Sequence, residues 1–273
     1  MLFLSRKTNR LLVISVLAVV FLSCGLMRET AAYTLFSDDF ESGLDLATKW
    51  KTETIAGATW VLAGDASNKF ITAQPHMGAG DRHLDIVTQK NDFSDFTFNW
   101  SMQFKNQGWH VDIRHVCFRC GDLSPIEAHS GYYLIIQAQN VFTNHSHIRL
   151  MNYRQTGPNY NLVSMDLGPN YFELSKWYNF ELEAIGNSFN LKTWEQGSPY
   201  PNNWLFTAVD TSSTPFNSGR IGFGDYWGGI TYVDNVRVDS PIPEPATVLL
   251  FTCAIVGLGV WRRKIRVEPK FMI

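Results

Sequence analysis

Between Tyr33 and Asp239 the chain has no long stretch with apolar residues at helical spacing, whereas short runs that alternate apolar and polar residues recur between clusters of Gly, Asn, Pro and Asp. Successive side chains of a strand point to opposite faces, so period-two alternation marks a strand with one face buried. Phe96–Phe104, Gly131–Gln137 and His147–Tyr153 are such runs, each of ordinary strand length. Trp177–Ala184 alternates, Gly186-Asn187 is a hairpin-turn dipeptide, and Phe189–Trp194 returns. A last hairpin is expected to leave along Arg220–Gly224, turn through Asp225–Gly229 and return along Ile230–Val238. About two hundred residues of strands without βαβ alternation predict an all-β fold, two antiparallel sheets packed face to face as a jelly-roll sandwich.

Apolar segments occupy both ends of the 273 residues and leave room for one medium domain between them, residues 33–239. Arg6, Lys7 and Arg10 precede an apolar run from Leu11 to Leu22, and Thr30-Ala31-Ala32 places small residues before Tyr33. This is the order of a secretory signal, so residues 1–32 are read as a signal peptide. An uncleaved anchor, for which the run is short, and a lipoprotein signal at Phe21-Leu22-Ser23-Cys24-Gly25 are the alternatives. Residues 240–273 form a tail in which Pro243-Glu244-Pro245 precedes an apolar stretch ending at Trp261, followed at once by Arg262-Arg263-Lys264. As a single helix, Ala246–Trp261 would be roughly 24 Å long, thin for a bilayer core. The three cations would hold its end on the cytoplasmic side, and Pro-Glu-Pro, unable to sit inside a helix, would stay extended outside the membrane. A plain transmembrane anchor accounts for the apolar run and the cations equally well, but not for the Pro-Glu-Pro.

The net charge of −2 and the lack of a long basic run in residues 33–239 exclude the positive footprint of a nucleic-acid-binding protein, so no nucleic-acid partner is expected. Of four cysteines, Cys24 and Cys253 fall in the apolar ends, which leaves Cys117 and Cys120 in the central domain. One pair is not a disulfide framework, and the domain must rest on its hydrophobic core.

Phe36-Ser37-Asp38-Asp39-Phe40-Glu41 and Tyr232-Val233-Asp234-Asn235-Val236-Arg237-Val238 resemble the first and last strands of concanavalin A-like, laminin-G-like domains. The segment from Trp177 through Trp194 and Trp204 to Gly222 is similar to their final hairpins, so the resemblance covers nearly the whole central domain. The tail resembles the PEP-CTERM sorting signal read by exosortases, although this chain continues through Ile265–Ile273 where such chains commonly stop. Together the resemblances imply an exported, exosortase-processed protein of a bacterium, of the Gram-negative type. Its tail would hold it in the inner membrane before processing, and it would then stand at the cell surface or in the extracellular matrix. They imply a jelly roll that binds carbohydrate or another matrix component without catalysis, with extracellular polysaccharide as partner. A hydrolase acting on glycans and a purely structural membrane-anchored surface protein are the alternatives. In related carbohydrate-binding domains a calcium ion often ties the first strand to the last. Asp234 matches the closing-strand position and Asp39 the opening segment, with Gly78-Ala79-Gly80-Asp81 as a further source of oxygen ligands. A plain surface acid at each position is the alternative, and no other cofactor is required.

The Glu-x-Asp-x-x-Glu strand of the jelly-roll hydrolases of glycoside hydrolase family 16 is absent. Glu181-Leu182-Glu183 puts two carboxylates on one strand face, the arrangement a retaining glycosidase needs, but with Phe180, Leu182 and Ala184 facing the core both glutamates read as solvated. Cys117-Phe118-Arg119-Cys120 lacks the following helix that activates redox CxxC pairs and the second pair that zinc requires. A straight strand would hold the two Cα atoms roughly 10 Å apart, so the small disulfide expected here needs a local turn, for which Gly121-Asp122 is the candidate. His145 and His147 share a strand face without a nearby carboxylate in sequence, and Gly222-Phe223-Gly224 has no helix to make a phosphate cradle. The candidate ligand-binding residues are the stripe His110, Asp112 and Arg114, outward-facing if Val111 and Ile113 face the core, with Tyr133 and Gln137 beside it.

Overall fold

In the strand Phe96–Phe104 every second residue, from Phe96 through Phe98, Trp100 and Met102 to Phe104, is buried, and this apolar row is the floor on which the fold is built. The computed structural model describes residues 32–52, 59–74, 84–105, 113–121, 130–138, 144–226 and 230–241; for Ile113, Arg114, Asp225 and Tyr226 only the backbone is described. The expected signal peptide and tail therefore lie outside the described residues, apart from Ala32, Ser240 and Pro241.

Among the described residues there is no helix, and fifteen strands, numbered in chain order, form two antiparallel sheets. The first sheet runs β13 (Phe206–Val209), β12 (Ser188–Glu195), β11 (Trp177–Ile185), β6 (Phe96–Phe104), β15 (Thr231–Asp239), β4 (Lys69–Gln74) and β3 (Thr59–Gly64), with β1 (Thr34–Asp38) also paired to β15. The second runs β10 (Tyr160–Pro169), β9 (His145–Tyr153), β8 (Gly131–Gln137), β7 (Ile113–Cys120), β14 (Arg220–Tyr226), β5 (Leu84–Thr88) and β2 (Trp50–Thr52). The two are called the β6 sheet and the β7 sheet below.

Their inner faces meet in one aromatic core. Trp100 of β6 stacks on Phe180 of β11 at 5.0 Å and 4°, and Phe223 of β14 reaches across to Phe98 at 5.9 Å. Phe118 of β7 likewise meets Phe96 at 6.2 Å and Phe189 at 5.5 Å. Such pairs add about 1 kcal/mol each beyond what the area they bury contributes.

The expected two-residue hairpin is present: β11 and β12 pair in unbroken register up to Ile185 opposite Ser188, around Gly186-Asn187. Gly186 has φ +53°, which this turn requires, and its N–H is accepted by Asp95 Oδ1 at 2.8 Å. The last hairpin is not formed. β14 pairs with β5 and β7, and β15 with β1, β4 and β6, so the chain crosses from one sheet to the other between them. Alternation reports that a strand has a buried face; it carries no information about which sheet supplies its neighbours.

Two buried polar networks lock the sandwich. The Arg119 guanidinium, 2 % exposed, donates to the carbonyls of Ser94, Gly186 and Phe216 at 2.7, 2.6 and 3.1 Å and to Asp95 Oδ1 at 3.2 Å. Asp210 Oδ2 accepts from Tyr132 Oη and Asn152 Nδ2, both at 2.7 Å, while Oδ1 accepts the Ser212 N–H at 2.8 Å. At the ends of the domain, Tyr33 N–H donates to Ser240 Oγ and Ser240 N–H to Tyr33 O, so the two connections to the rest of the chain leave from one place.

Candidate ligand-binding face

On β7, Val116 and Phe118 belong to the core, which leaves His115 and Cys117 on the far side of the sheet. Residues paired across a sheet share a face, so His115, Gly224 of β14 and Asp85 of β5 form one row there. Because the middle strand contributes a glycine, the two flanking side chains meet over it: His115 Nε2 lies 2.8 Å from Asp85 Oδ1, and each residue is at most 1 % exposed. A Cβ at position 224 would overlap both the imidazole and the carboxylate, so only glycine leaves the room. The Tyr133 ring packs 5.0 Å from His115 and 5.3 Å from Tyr153. Val87, Cys117, Cys120 and Tyr133 make a small apolar cluster of their own beside this pair.

Gln137 lies on the same face of β8 as Tyr133, opposite His147 of β9. It is 8 % exposed, and its amide nitrogen has no hydrogen-bond partner among the described residues. Further out on this face, His145 Nδ1 lies 2.7 Å from Asp166 Oδ2 and His147 Nε2 lies 3.3 Å from Ser164 Oγ. Hydrogen bonds from His145 and the Gly168 N–H hold the exposed Asp166 carboxyl below its usual value.

Of the residues expected to bind ligand, the structure brings Tyr133 and Gln137 together on this face, buried rather than solvent-exposed. His110 and Asp112 lie outside the described residues. The backbone of Arg114 pairs with Ile136, and its side chain lies outside what is described. Asp85 and His115 were not among the sequence candidates, being 30 residues apart on strands that are not neighbours. The available signal was the alternate glycines Gly222 and Gly224, which open one face of β14 to its neighbours' side chains.

Asp39 and Asp234, the calcium candidates, do lie close together where β1 meets β15, with Asp38 and Glu41. Burial pushes the Asp234 carboxyl up to about 6, against the Asn235 N–H that it accepts, and the carboxylates of Glu41, Asp39 and Asp38 add to the rise. Asp38, however, is committed to the Trp50 indole N–H at 2.7 Å, the Phe40 N–H and the Lys49 ammonium. Among the described residues no three His, Cys, Asp or Glu side chains converge on a point that could hold a metal ion. Asp39 and Asp234 thus lie near each other without a third such side chain converging on them among the described residues, and 78–81, the further source of oxygen ligands, lie outside those residues.

Cys117 and Cys120 are both buried thiols with Sγ atoms 2.9 Å apart. What brings them together is a bulge: Phe118 pairs with Ile221 and Cys120 with Arg220, leaving Arg119 as an extra residue at φ +48°. The bend falls inside β7, before Gly121. Burial pushes the Cys117 thiol well up, which suits a structural pair and not a reactive one. Glu181 and Glu183 take the outer face of β11 as expected, accepting from Tyr200 Oη and Asn190 Nδ2. The tail residues Pro243, Glu244, Pro245, Arg262, Arg263 and Lys264 lie outside the described residues.

No protein-family model and no curated protein sequence matches the chain. Solved structures do match. A Bacillus subtilis protein of unknown function with a galectin-like fold aligns at a TM-score of 0.55 and 12 % identity over 80 % of this chain and 99 % of its own. A glycoside hydrolase family 16 endo-glucanase from Bacteroides ovatus aligns at 0.54 and 12 % identity over 75 % and 99 %. The exoplasmic domain of VIP36, bound to Ca2+ and Man3GlcNAc, aligns at 0.52 and 10 % identity over 71 % and 87 %. At these identities the likeness is one of fold, and it agrees with the concanavalin A-like architecture.

Proposed function

We propose that the jelly roll is a non-catalytic carbohydrate-binding domain of an exported surface or matrix protein, with the far face of the β7 sheet as its binding face. The observation that carries this reading is the amide of Gln137, nine-tenths buried beside Tyr133, with a donor nitrogen that no described residue satisfies. A buried donor without an acceptor costs about 1–3 kcal/mol, and a ligand hydroxyl supplies the acceptor. The fold supports the same reading, since a glucan-cleaving enzyme and a domain crystallised with a mannose-containing glycan share it. The notion of a module that binds without cleaving rests on the missing Glu-x-Asp-x-x-Glu strand. In this reading residues 1–32 direct export, an exosortase acts at Pro243-Glu244-Pro245, the membrane holds the tail only before processing, and extracellular polysaccharide is the partner.

The test is affinity electrophoresis of the full chain in gels containing neutral or acidic polysaccharides, with reducing-sugar release measured in parallel. Gln137→Met removes the orphan amide while keeping volume, so we expect binding to weaken roughly tenfold with thermal stability unchanged or raised. Equal retardation of wild type and variant would remove this face from the reading. Release of reducing sugar would establish the hydrolase alternative.

A further inference from the structure

The outward face of the β6 sheet, remote from Gln137, carries a group of aromatic rings. The register puts Trp177 of β11, Gln103 of β6 and Tyr232 of β15 in one row. Phe70 of β4 stacks on Tyr232 at 4.2 Å and meets Trp177 at 5.9 Å. Trp194 of β12 lies opposite Asn179, diagonal to Trp177, and its ring meets Tyr200 at 5.1 Å. Trp204 follows in the connection to β13. The rings thus form a band across β4, β15, β6, β11 and β12, four strand spacings or roughly 19 Å.

The band is held open by polar contacts. Lys192 Nζ sits 4.1 Å from the Tyr200 ring centroid and 4.5 Å from that of Trp204, and donates to Tyr200 Oη at 2.7 Å. Tyr200 Oη in turn donates to Glu181 Oε1 at 2.7 Å. Both rings nonetheless stay open to solvent, Tyr200 at 52 % and Trp204 at 37 %. Rings fixed by a cation beneath them and exposed on the other side lose little conformational entropy when a ligand stacks on them.

Charge selects the ligand. The Lys192 ammonium is spent on the two rings and Tyr200, and its residue is only 8 % exposed. Glu181 and Glu183 stand on the same face and repel anions. Asn179 and Ser101, already hydrogen-bonded to each other at 2.9 Å, add neutral polar groups along the band. We infer that this band is a second binding surface, on the sheet opposite Gln137, for an extended neutral polysaccharide lying across the strands with its sugar faces on the rings. For its ligand class the inference rests on the carbohydrate reading; for its place it rests on the rings alone.

The test uses the full chain with mixed-linkage β-glucan, laminarin and mannan as neutral probes, their oligosaccharides, and polygalacturonate as the anionic one. We expect Trp204→Ala and Tyr200→Ala to weaken binding of a neutral polymer roughly tenfold or more, with tryptophan fluorescence shifting on binding in the wild type. Trp177→Ala should weaken long oligosaccharides and leave short ones unaffected. Thermal unfolding of each variant controls for folding. Neutral binding that survives both Trp204→Ala and Tyr200→Ala but falls with Gln137→Met overturns this surface and leaves the first face standing. Preference for polygalacturonate overturns the choice of a neutral ligand, and a wild type that binds none of these polymers overturns both surfaces.

Discussion

At the scale of single residues, the buried charges divide by how completely their hydrogen bonds are met. Burial pushes the Asp210 carboxyl up, but hydrogen bonds from Tyr132, Ser212 and Asn152 outweigh it and hold the group below its usual 3.8. A carboxyl depressed in the folded state contributes stability that is present above its unfolded value and lost as the pH falls through the folded one. Asp210→Asn places an amide donor against a donor, so we expect it to cost about 2 kcal/mol at pH 7. The gap to wild type should narrow as the pH falls below the usual carboxylate range and through the lower value of folded Asp210, where that carboxyl protonates. Thermal unfolding of both proteins between pH 3 and pH 8 measures this, and a gap that does not depend on pH would show that the carboxylate's charge plays no part. Asp234 shows the opposite balance: hydrogen bonds from the Asn235 backbone N–H and side-chain amide do not offset burial among three other acids, and its carboxyl rises to about 6.

At the scale of the element, β14 shows how a strand can serve its neighbours by lacking side chains. Gly222 and Gly224 face outward while Ile221 and Phe223 fill the core, so the inner face is apolar and the outer face is backbone. The space over Gly224 is taken by Asp85 and His115, whose contact bridges β5 and β7 across it. Gly224→Ala must break that contact or displace the strand, and we expect a loss of at least about 2 kcal/mol, with Asp85 and His115 left buried apart. Denaturant unfolding checks it, and an unchanged midpoint would show that the pair gives way to the added methyl without cost. The bulge in β7 works in the same local way. One extra residue, Arg119, turns its guanidinium into the sandwich and sets Cys117 and Cys120 side by side.

At the scale of the whole molecule, Tyr33 and Ser240 are hydrogen-bonded to each other, so whatever precedes and follows the domain attaches at one point. If the tail is a sorting signal, intact-mass measurement on protein from its host should show loss of the chain beyond about Pro243-Glu244-Pro245 only when the exosortase is present; retention through Ile273 with and without it would make the tail a permanent anchor. The sequence by itself determined the sandwich, the core rows of β6 and β11, and the Gly186-Asn187 hairpin. Each depends on alternation or on a turn dipeptide, which are properties of neighbours along the chain. It placed Tyr133 and Gln137 beside the stripe His110, Asp112 and Arg114 and carried no sign that both are buried. Only the tertiary structure decided that β14 and β15 belong to different sheets, that Asp85 meets His115 over Gly224, and that rings from Phe70 to Trp204 fall in one band. Those contacts join residues distant in sequence, and their partners are set by strand order and register, which no local pattern encodes.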